Sequence, residues 1–444
     1  MHSPGRTAVL LGLLFGLAGT STSAVTVALP QLSAELGVTA ATAAWIVSGY
    51  TVALAVATPM HGRLADMAGI RLPLVIGVAL MSVGAVGAAL APNFGILMVA
   101  RVLQGAGAAS VAVLGTALIS ARWSGEARGA ALGRVAGVAG TLSALGPLLG
   151  GALEALGGWR WSVALPVVGL LAIPALWRGA PTGGSGESVD KIGALLVALA
   201  ASGLVLLIQS PSAGVVAGTV GAVLLAIGAP AVVWWVRRRP DGFLPRAIVT
   251  NVTVLRSAFA AAAVPASWFA LLLGVPLAAA SWGWTPLATG TLLLPAAVVG
   301  FFSPPVARRL LSRLGGRRTI ALACPTAVVA LLVAALGGVL ESPWLLALAV
   351  VLVTVAFGIG QPAMISSVGA AVPGAQRGVA LGIATLVFLT GASVGAALVG
   401  GLSTVLGVPA AFLLLVALPL LGIGALLVGG PDRVEPVEAV PAGR

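Results

Sequence analysis

The chain is a row of fourteen apolar segments separated by short loops, and nearly all of its positive charge falls in alternate loops. That pattern limits folding more than any motif does. With 59% hydrophobic and 8% charged residues and a mean hydropathy of +1.13, there is too little polar surface to coat a globule. A bilayer suits such a chain, because helices satisfy their own backbone hydrogen bonds there. The hydrocarbon layer is about 30 Å thick and takes about 20 apolar residues per crossing. The pattern predicts spans at 7–29, 44–61, 72–91, 94–118, 131–156, 161–177, 192–210, 215–236, 254–280, 286–307, 319–339, 345–368, 379–403 and 411–428. The expected fold class is an all-α polytopic membrane protein.

Alternate loops and the two ends hold 21 of the 23 basic residues; only Arg160 falls in an opposite loop and Arg101 inside a span. By the positive-inside rule both termini are expected in the cytoplasm. The net charge of +12 therefore points to anionic lipid headgroups rather than to nucleic acid. A single cysteine, Cys324, excludes intramolecular disulfides and cysteine-built metal sites. Residues 1–29 read as the first span rather than a cleaved leader, since their apolar run is long and further spans follow.

Two nearly equal halves are expected, residues 1–178 and 254–428. The linker 179–253 carries two inserted spans, and 429–444 forms a tail. The basic loop after the second helix starts at Gly62 in the first half and at Arg308 in the second, at matching distances. Equal halves with matched loops suggest an internal duplication, as in many secondary transporters.

The loop Gly62-Arg63-Leu64-Ala65-Asp66-Met67-Ala68-Gly69-Ile70-Arg71 joins spans 2 and 3. A carboxylate at a membrane face accepts hydrogen bonds from a helix N-terminus and pairs with a nearby arginine, a latch that forms in one conformation and breaks in another. Span 4 carries Arg101 three residues before Gln104-Gly105. An arginine at the bilayer centre costs about 2.5–3.5 kcal/mol on insertion scales, so it must face the bundle interior and have a partner. In span 5, Gly133 is followed by Gly146-Pro147-Leu148-Leu149-Gly150-Gly151, where proline removes a backbone bond and glycines thin the helix.

These stretches resemble the signatures of the major facilitator superfamily. Val27-Ala28-Leu29-Pro30, Trp45…Tyr50 and Trp159-Arg160-Trp161 bring the resemblance closest to its fourteen-span drug:proton antiporters. It implies two six-helix bundles plus two additional central helices, with export and proton coupling. It assigns Gly62, Asp66, Gly69 and Arg71 to a conformational gate. Gly133, Gly146, Pro147, Gly150 and Gly151 fall in the antiporter-like motif.

The chain departs from that pattern at several positions. Met67 and Ile70 stand where a basic residue is usual, and Leu142 replaces a glycine. Ser21 occupies the place of a span-1 aspartate, and Phe388-Leu389 replaces an Arg-Gln pair. No acidic residue lies mid-span, although an intramembrane carboxylate is the usual proton relay. Glu154, at the outer end of span 5, is the nearest substitute and joins Arg101 and Gln104 as candidate coupling or positioning residues. Thr22, Thr26, Tyr50, Trp268 and Gln361 are candidate cavity residues.

The expectation is a secondary exporter of small, largely apolar or neutral molecules in the plasma membrane of a bacterium. It acts as a monomer, with protons and a small-molecule substrate as partners and with no cofactor or metal. A facilitator or importer is the alternative within transport. A membrane-embedded enzyme is the reading from another class, but two His and peripheral carboxylates supply no metal site or acid/base pair. The chain also lacks a phosphate-binding G-x-x-x-x-G-K-[ST] loop, so ATP is not the expected energy source.

Overall fold

The computed structural model describes residues 3–123, 125–183, 190–208, 210, 215–240, 242–372 and 377–428. Long helices follow the apolar segments. The first four are α1 (Pro4–Leu36), α2 (Ala40–Ala68), α3 (Arg71–Ala89) and α4 (Phe94–Arg122). Side chains of Ser3, Thr39 and Asn93 accept from backbone N–H groups at the starts of α1, α2 and α4, supplying donors' partners that the helix cannot. α5 (Gly125–Ala144) and α6 (Gly146–Gly157) form one run with a 43° bend, and Pro147 opens α6. α7 (Trp159–Ala164), a 3₁₀ stretch at Leu165–Ala172 and α8 (Ile173–Gly179) complete the first half.

α9 (Lys191–Ile208) and α10 (Val215–Arg238) pack on each other as the inserted pair. α9 also touches α2, while α10 is largely exposed and faces the surroundings. The short α11 (Arg246–Val249) leads to the second half. That half contains α12 (Val252–Ser281), α13 (Pro286–Leu292), α14 (Leu294–Val339), α15 (Pro343–Ala370), α16 (Arg377–Leu406), α17 (Val408–Leu415) and α18 (Ala417–Leu427). α9 reaches across to α16 as well, so the inserted pair lies beside the seam between α2 and α16.

Among the described residues, eleven helices are long and apolar enough to cross a membrane, or twelve if the bent α5–α6 pair is one crossing. The segments expected at 192–210 and 286–307 appear as the shorter apolar helices Lys191–Leu204 and Leu287–Gly300. The second of these is broken at Leu293, next to Pro295. α14 runs on through the segment expected at 319–339, with its backbone leaving helical geometry only at Gly315. A count of fourteen therefore depends on treating those two shorter helices as crossings.

The internal repeat is visible in the backbone. Gly69 has φ 76° and ψ 173°, and Gly315 has φ 75° and ψ 172°. Gly37 and Gly283 share the left-handed region, with φ 64° and 79°. Arg71 Nε donates to the carbonyl of Ala180, and Arg317 Nη2 donates to the carbonyl of Leu426. Each second member lies 246 residues after its counterpart. Positive φ is the reason that glycine occupies both loop positions, since a Cβ there clashes with the backbone.

Buried apolar residues fall into three main groups. Near the arginine-rich end each half has its own core: Leu11, Leu74, Leu118 and Leu176 in the first, and Ile248, Ile320, Met364 and Phe388 in the second. At the opposite end a single core spans both halves, joining Leu29, Leu32, Ile46 and Trp159 to Leu271, Leu273, Val353 and Phe412. Among the described residues, one continuous apolar core joins the halves at that end, and the two cores at the arginine-rich end are separate. Glycines bring backbones together along the contact surfaces. A Cβ at Gly105 would strike the Tyr50 carbonyl, and one at Gly391 or Gly395 would strike the carbonyls of Ala262 or Ala266.

Candidate substrate-binding and gating site

Arg101 lies fully buried where α1, α2 and α4 meet. Its Nε donates to the Ile46 carbonyl at 3.1 Å, and its Nη1 donates to Ser21 Oγ at 2.8 Å and to Gln104 Oε1 at 2.6 Å. The guanidinium carbon stands 4.4 Å from the centre of the Tyr50 ring, a cation–π contact. Tyr50 donates its own hydroxyl proton to the Ala18 carbonyl at 2.7 Å. Among the described residues, every partner of this cation is neutral. The interior location and the need for a partner follow from the cost of burying charge; which residues serve as partners is set by the packing of α1 and α2 on α4. Two donors remain without a partner, Arg101 Nη2 and Gln104 Nε2. Each such buried donor costs about 1–3 kcal/mol.

α1 is held against α5 and α6 by close polar and small-residue contacts. Thr20 Oγ1 donates to the Leu142 carbonyl at 2.9 Å, and Ser23 Oγ donates to the Ser143 carbonyl at 2.9 Å. A Cβ at Gly146 or Gly150 would run into Ser23 or Ala24, and Ser162 Oγ donates to the Gly150 carbonyl at 3.0 Å. The bend at Pro147 and this tight seat match the kinked, closely packed element read from the motif. Gly151 is buried with them, and Gly133 lies earlier on α5.

In the loop between α2 and α3, Arg71 N donates to the Pro181 carbonyl at 3.2 Å and Arg71 Nε donates to the Ala180 carbonyl at 2.9 Å. Gly69 lies against the backbone of Gly183. The loop therefore clasps the chain leaving α8. Gly62 is part-buried beside Val113. The side chain of Asp66 lies outside the described residues. α3 starts without a side-chain cap and without an acid in its first turn.

The facing half presents aromatics. Trp268 stacks on Phe357 at 5.0 Å, Phe357 lies 5.8 Å from Phe388, and Trp268 Nε1 donates to Thr354 Oγ1 at 3.4 Å. A small cavity of about 20 Å³ lies between Trp268, Leu272, Val350 and Thr354 on one side and Ser143 and Pro147 on the other. It has room for about one water, too little for a drug-sized molecule. Of the expected cavity residues, Trp268 lines this space. Thr22, Thr26 and Tyr50 are buried in packing, with Thr26 Oγ1 donating to the Ser23 carbonyl. Gln361 is part-exposed on α15. Glu154 stands part-exposed near the end of α6, outside the Arg101 cluster. At that same end Arg160 pairs with Glu35, and Trp159 Nε1 donates to Glu35 at 2.8 Å, so the one arginine of the opposite loops is neutralised locally.

The structure shows one polar cluster that sequence reading passed over. Asp190 caps α9 by accepting from Gly193 N at 2.9 Å, and it also accepts from Trp235 Nε1 at 2.8 Å and Phe243 N at 2.9 Å. It ties α9, α10 and the lead into α12 together. An aspartate just before the apolar run of Lys191 was the available signal. Burial raises its pKa, but the bonds from Gly193, Phe243 and Trp235 and the charge of Arg239 outweigh this and hold it below the usual carboxylate value. A depressed folded-state pKa contributes stability above the unfolded value, which is lost as pH falls through the folded one. Asp190→Ala is expected to cost about 0.5–2 kcal/mol, the worth of a cap. The melting-temperature gap to wild type should be full at pH 7 and shrink on acidification below the unfolded carboxylate pKa. A gap unchanged down to strongly acid pH would contradict this.

A polytopic helical chain with an internal repeat and a buried polar site between bundled helices has the construction of a secondary transporter. The family is shown by its sequence: residues 11–372 match the model for the major facilitator superfamily, and the chain belongs to that superfamily of membrane transporters. It is similar to the efflux pump dotC of Dothistroma septosporum, with 39% identity over 164 residues covering 36% of this chain and 28% of that protein. It is also similar to the multidrug resistance protein Stp of Mycobacterium tuberculosis, with 30% identity over 304 residues covering 66% and 56% of the two chains. The chain thus spans about half or less of the length of these relatives. A crystal structure of a POT family transporter in complex with 5-aminolevulinic acid shares the fold, with a TM-score of 0.72, 14% identity and 95% of both chains covered.

Proposed function

We propose that this transporter is a secondary exporter of small, largely apolar molecules, working by alternating access and proton antiport. The observation that carries the mechanism is the arrangement of the cores. Among the described residues, apolar packing unites the halves at the end opposite the arginines and forms separate cores at the arginine-rich end. With that end cytoplasmic by the positive-inside rule, the conformation is closed outward and ready to open inward. The organisation is two six-helix bundles, 1–178 and 254–428, with the inserted pair beside their seam and the termini in the cytoplasm of a bacterium. The names of the relatives, an efflux pump and a multidrug resistance protein, support export.

The substrate is neutral or weakly acidic, because the buried charge of the site is a cation with neutral partners. Desolvating a second cation beside it is unfavourable. The same observation favours a second reading, a proton-independent facilitator, since no carboxylate joins the Arg101 cluster among the described residues. In that case Glu154 and Asp66 carry no proton, and only the downhill direction remains.

Everted membrane vesicles from cells that produce the protein test direction and charge preference together. Energised vesicles should accumulate a neutral amphipathic antibiotic and leave a bis-quaternary ammonium antiseptic outside. Accumulation of the dication would contradict the account, because the carboxylate it needs would have gone unrecognised.

A further inference from the structure

The orphan donors of the Arg101 cluster mark a binding site for an anion. Arg101 and Gln104 are both fully buried, and they are already bonded to each other through Nη1 and Oε1. That bond settles the orientation of the amide. A guanidinium only donates, so Oε1 must face it and Nε2 must point away. Nη2 and Nε2 are thus donors on adjoining buried side chains with no protein acceptor among the described residues. Ser21 offers Arg101 only a hydroxyl, so the positive charge has no counter-charge within its own cluster.

We infer that Arg101 and Gln104 receive a carboxylate carried by the substrate, so that the preferred cargo is an aromatic or aliphatic body with a single anionic end. This rests on the transport reading above and gives its substrate a chemical class. A carboxylate accepts from Nη2 and Nε2 at once, with charge-assisted bonds on the arginine side. Its arrival neutralises the buried cation, which a neutral substrate cannot do. The facing half holds an aromatic cluster of Trp268, Phe357 and Phe388.

The location also connects the site to the seam. Arg101 grips α2 at the Ile46 carbonyl and at the Tyr50 ring. Thr51, the next residue, shares a 2.7 Å hydrogen bond with Ser393 of α16. Ile46 itself belongs to the core that unites the halves. An anion that draws Arg101 away from Ile46 or Ser21 therefore acts on the part of α2 that contacts the other half.

The test is equilibrium binding to the purified full chain of two matched probes, 1-naphthaleneacetate and its neutral isostere 1-naphthaleneacetamide. Wild type should bind the acetate at least about tenfold tighter, the size expected of charge-assisted bonds to a desolvated arginine. Ser21→Asp supplies a resident carboxylate to Arg101 and should reduce that preference to below about twofold, while binding of the acetamide is retained. Gln104→Leu removes one of the two donors and should weaken acetate binding more than acetamide binding. These two variants keep Arg101 in place, so the outcome does not depend on a variant that fails to fold. Equal binding of both probes by wild type would overturn the inference, and so would loss of the preference when chloride is added to a low-salt buffer free of carboxylates, which would make the occupant an inorganic ion. Export of the acetamide without any anion preference would leave the transport reading standing and remove this one. Anion preference in binding with no export of either probe would do the reverse.

Discussion

Oxidation of an Ala44→Cys/Gly400→Cys variant, in a Cys324→Ala background, is expected to reduce transport to the level of empty membranes, and a reductant is expected to restore it. Ala44 lies near the start of α2 and Gly400 near the end of α16, both within the part of the molecule where the halves are welded. A Cβ placed on Gly400 would lie 2.6 Å from Ala44 Cβ. A disulfide takes a Cβ separation of about 3.5–4.5 Å, so it forms once the helices give by about an ångström. Alternating access requires this end to open in every cycle, and a covalent bond across it forbids that step. The effect is close to all-or-none because no other route carries the substrate past the shared core. Transport by the cross-linked protein at the rate of the reduced one would mean that α2 and α16 need not separate.

The second large effect is expected at the end of α2, just ahead of the turn into α3. Asp66→Asn should lower transport by about tenfold to a hundredfold with near-normal expression, because the amide keeps the shape and loses charge-assisted bonds worth about 1.5–3 kcal/mol. The repeat supplies its own control. The position 246 residues on from Asp66 is Ser312, whose hydroxyl donates to the carbonyl of Arg309 in its own helix. The two loops share the glycine geometry at Gly69 and Gly315 and the arginine grip of Arg71 and Arg317 on the end of their own half. Only the first has a carboxylate, so Ser312→Ala should change transport less than about twofold, as surface substitutions do. Equal losses at both positions would make the loops structural clasps rather than a gate.

The segments, the basic loops and the duplication were legible in the sequence because each depends on short windows of residues: apolar runs, charge placement and loop spacing. The bend at Pro147 was legible for the same reason, since proline acts on its own helix. What surrounds Arg101 was only half legible. That it must be interior follows from the cost of burying a charge, but Ser21 and Ile46 lie 80 and 55 residues away and are chosen by packing. The Asp190 cluster was missed because its partners Trp235 and Phe243 come from chain 45 and 53 residues further on. Of the fourteen expected crossings, not every one is a single long helix among the described residues. α13 and α14 break at Leu293 beside a proline, and hydropathy averages over such a break. The difference between the joined and separate cores is a property of the closed bundle and has no counterpart in any local pattern.

The most direct test of the account is transport by the purified chain in liposomes with a pH gradient of either sign. A neutral or weakly acidic substrate should accumulate against its own gradient when protons can flow the opposite way, and accumulation should reverse when the pH gradient is reversed. The Glu154→Gln/Asp66→Asn double variant should lose that accumulation. Equilibration to equal concentrations on both sides, whatever the sign of the pH gradient, would contradict proton antiport and leave a facilitator.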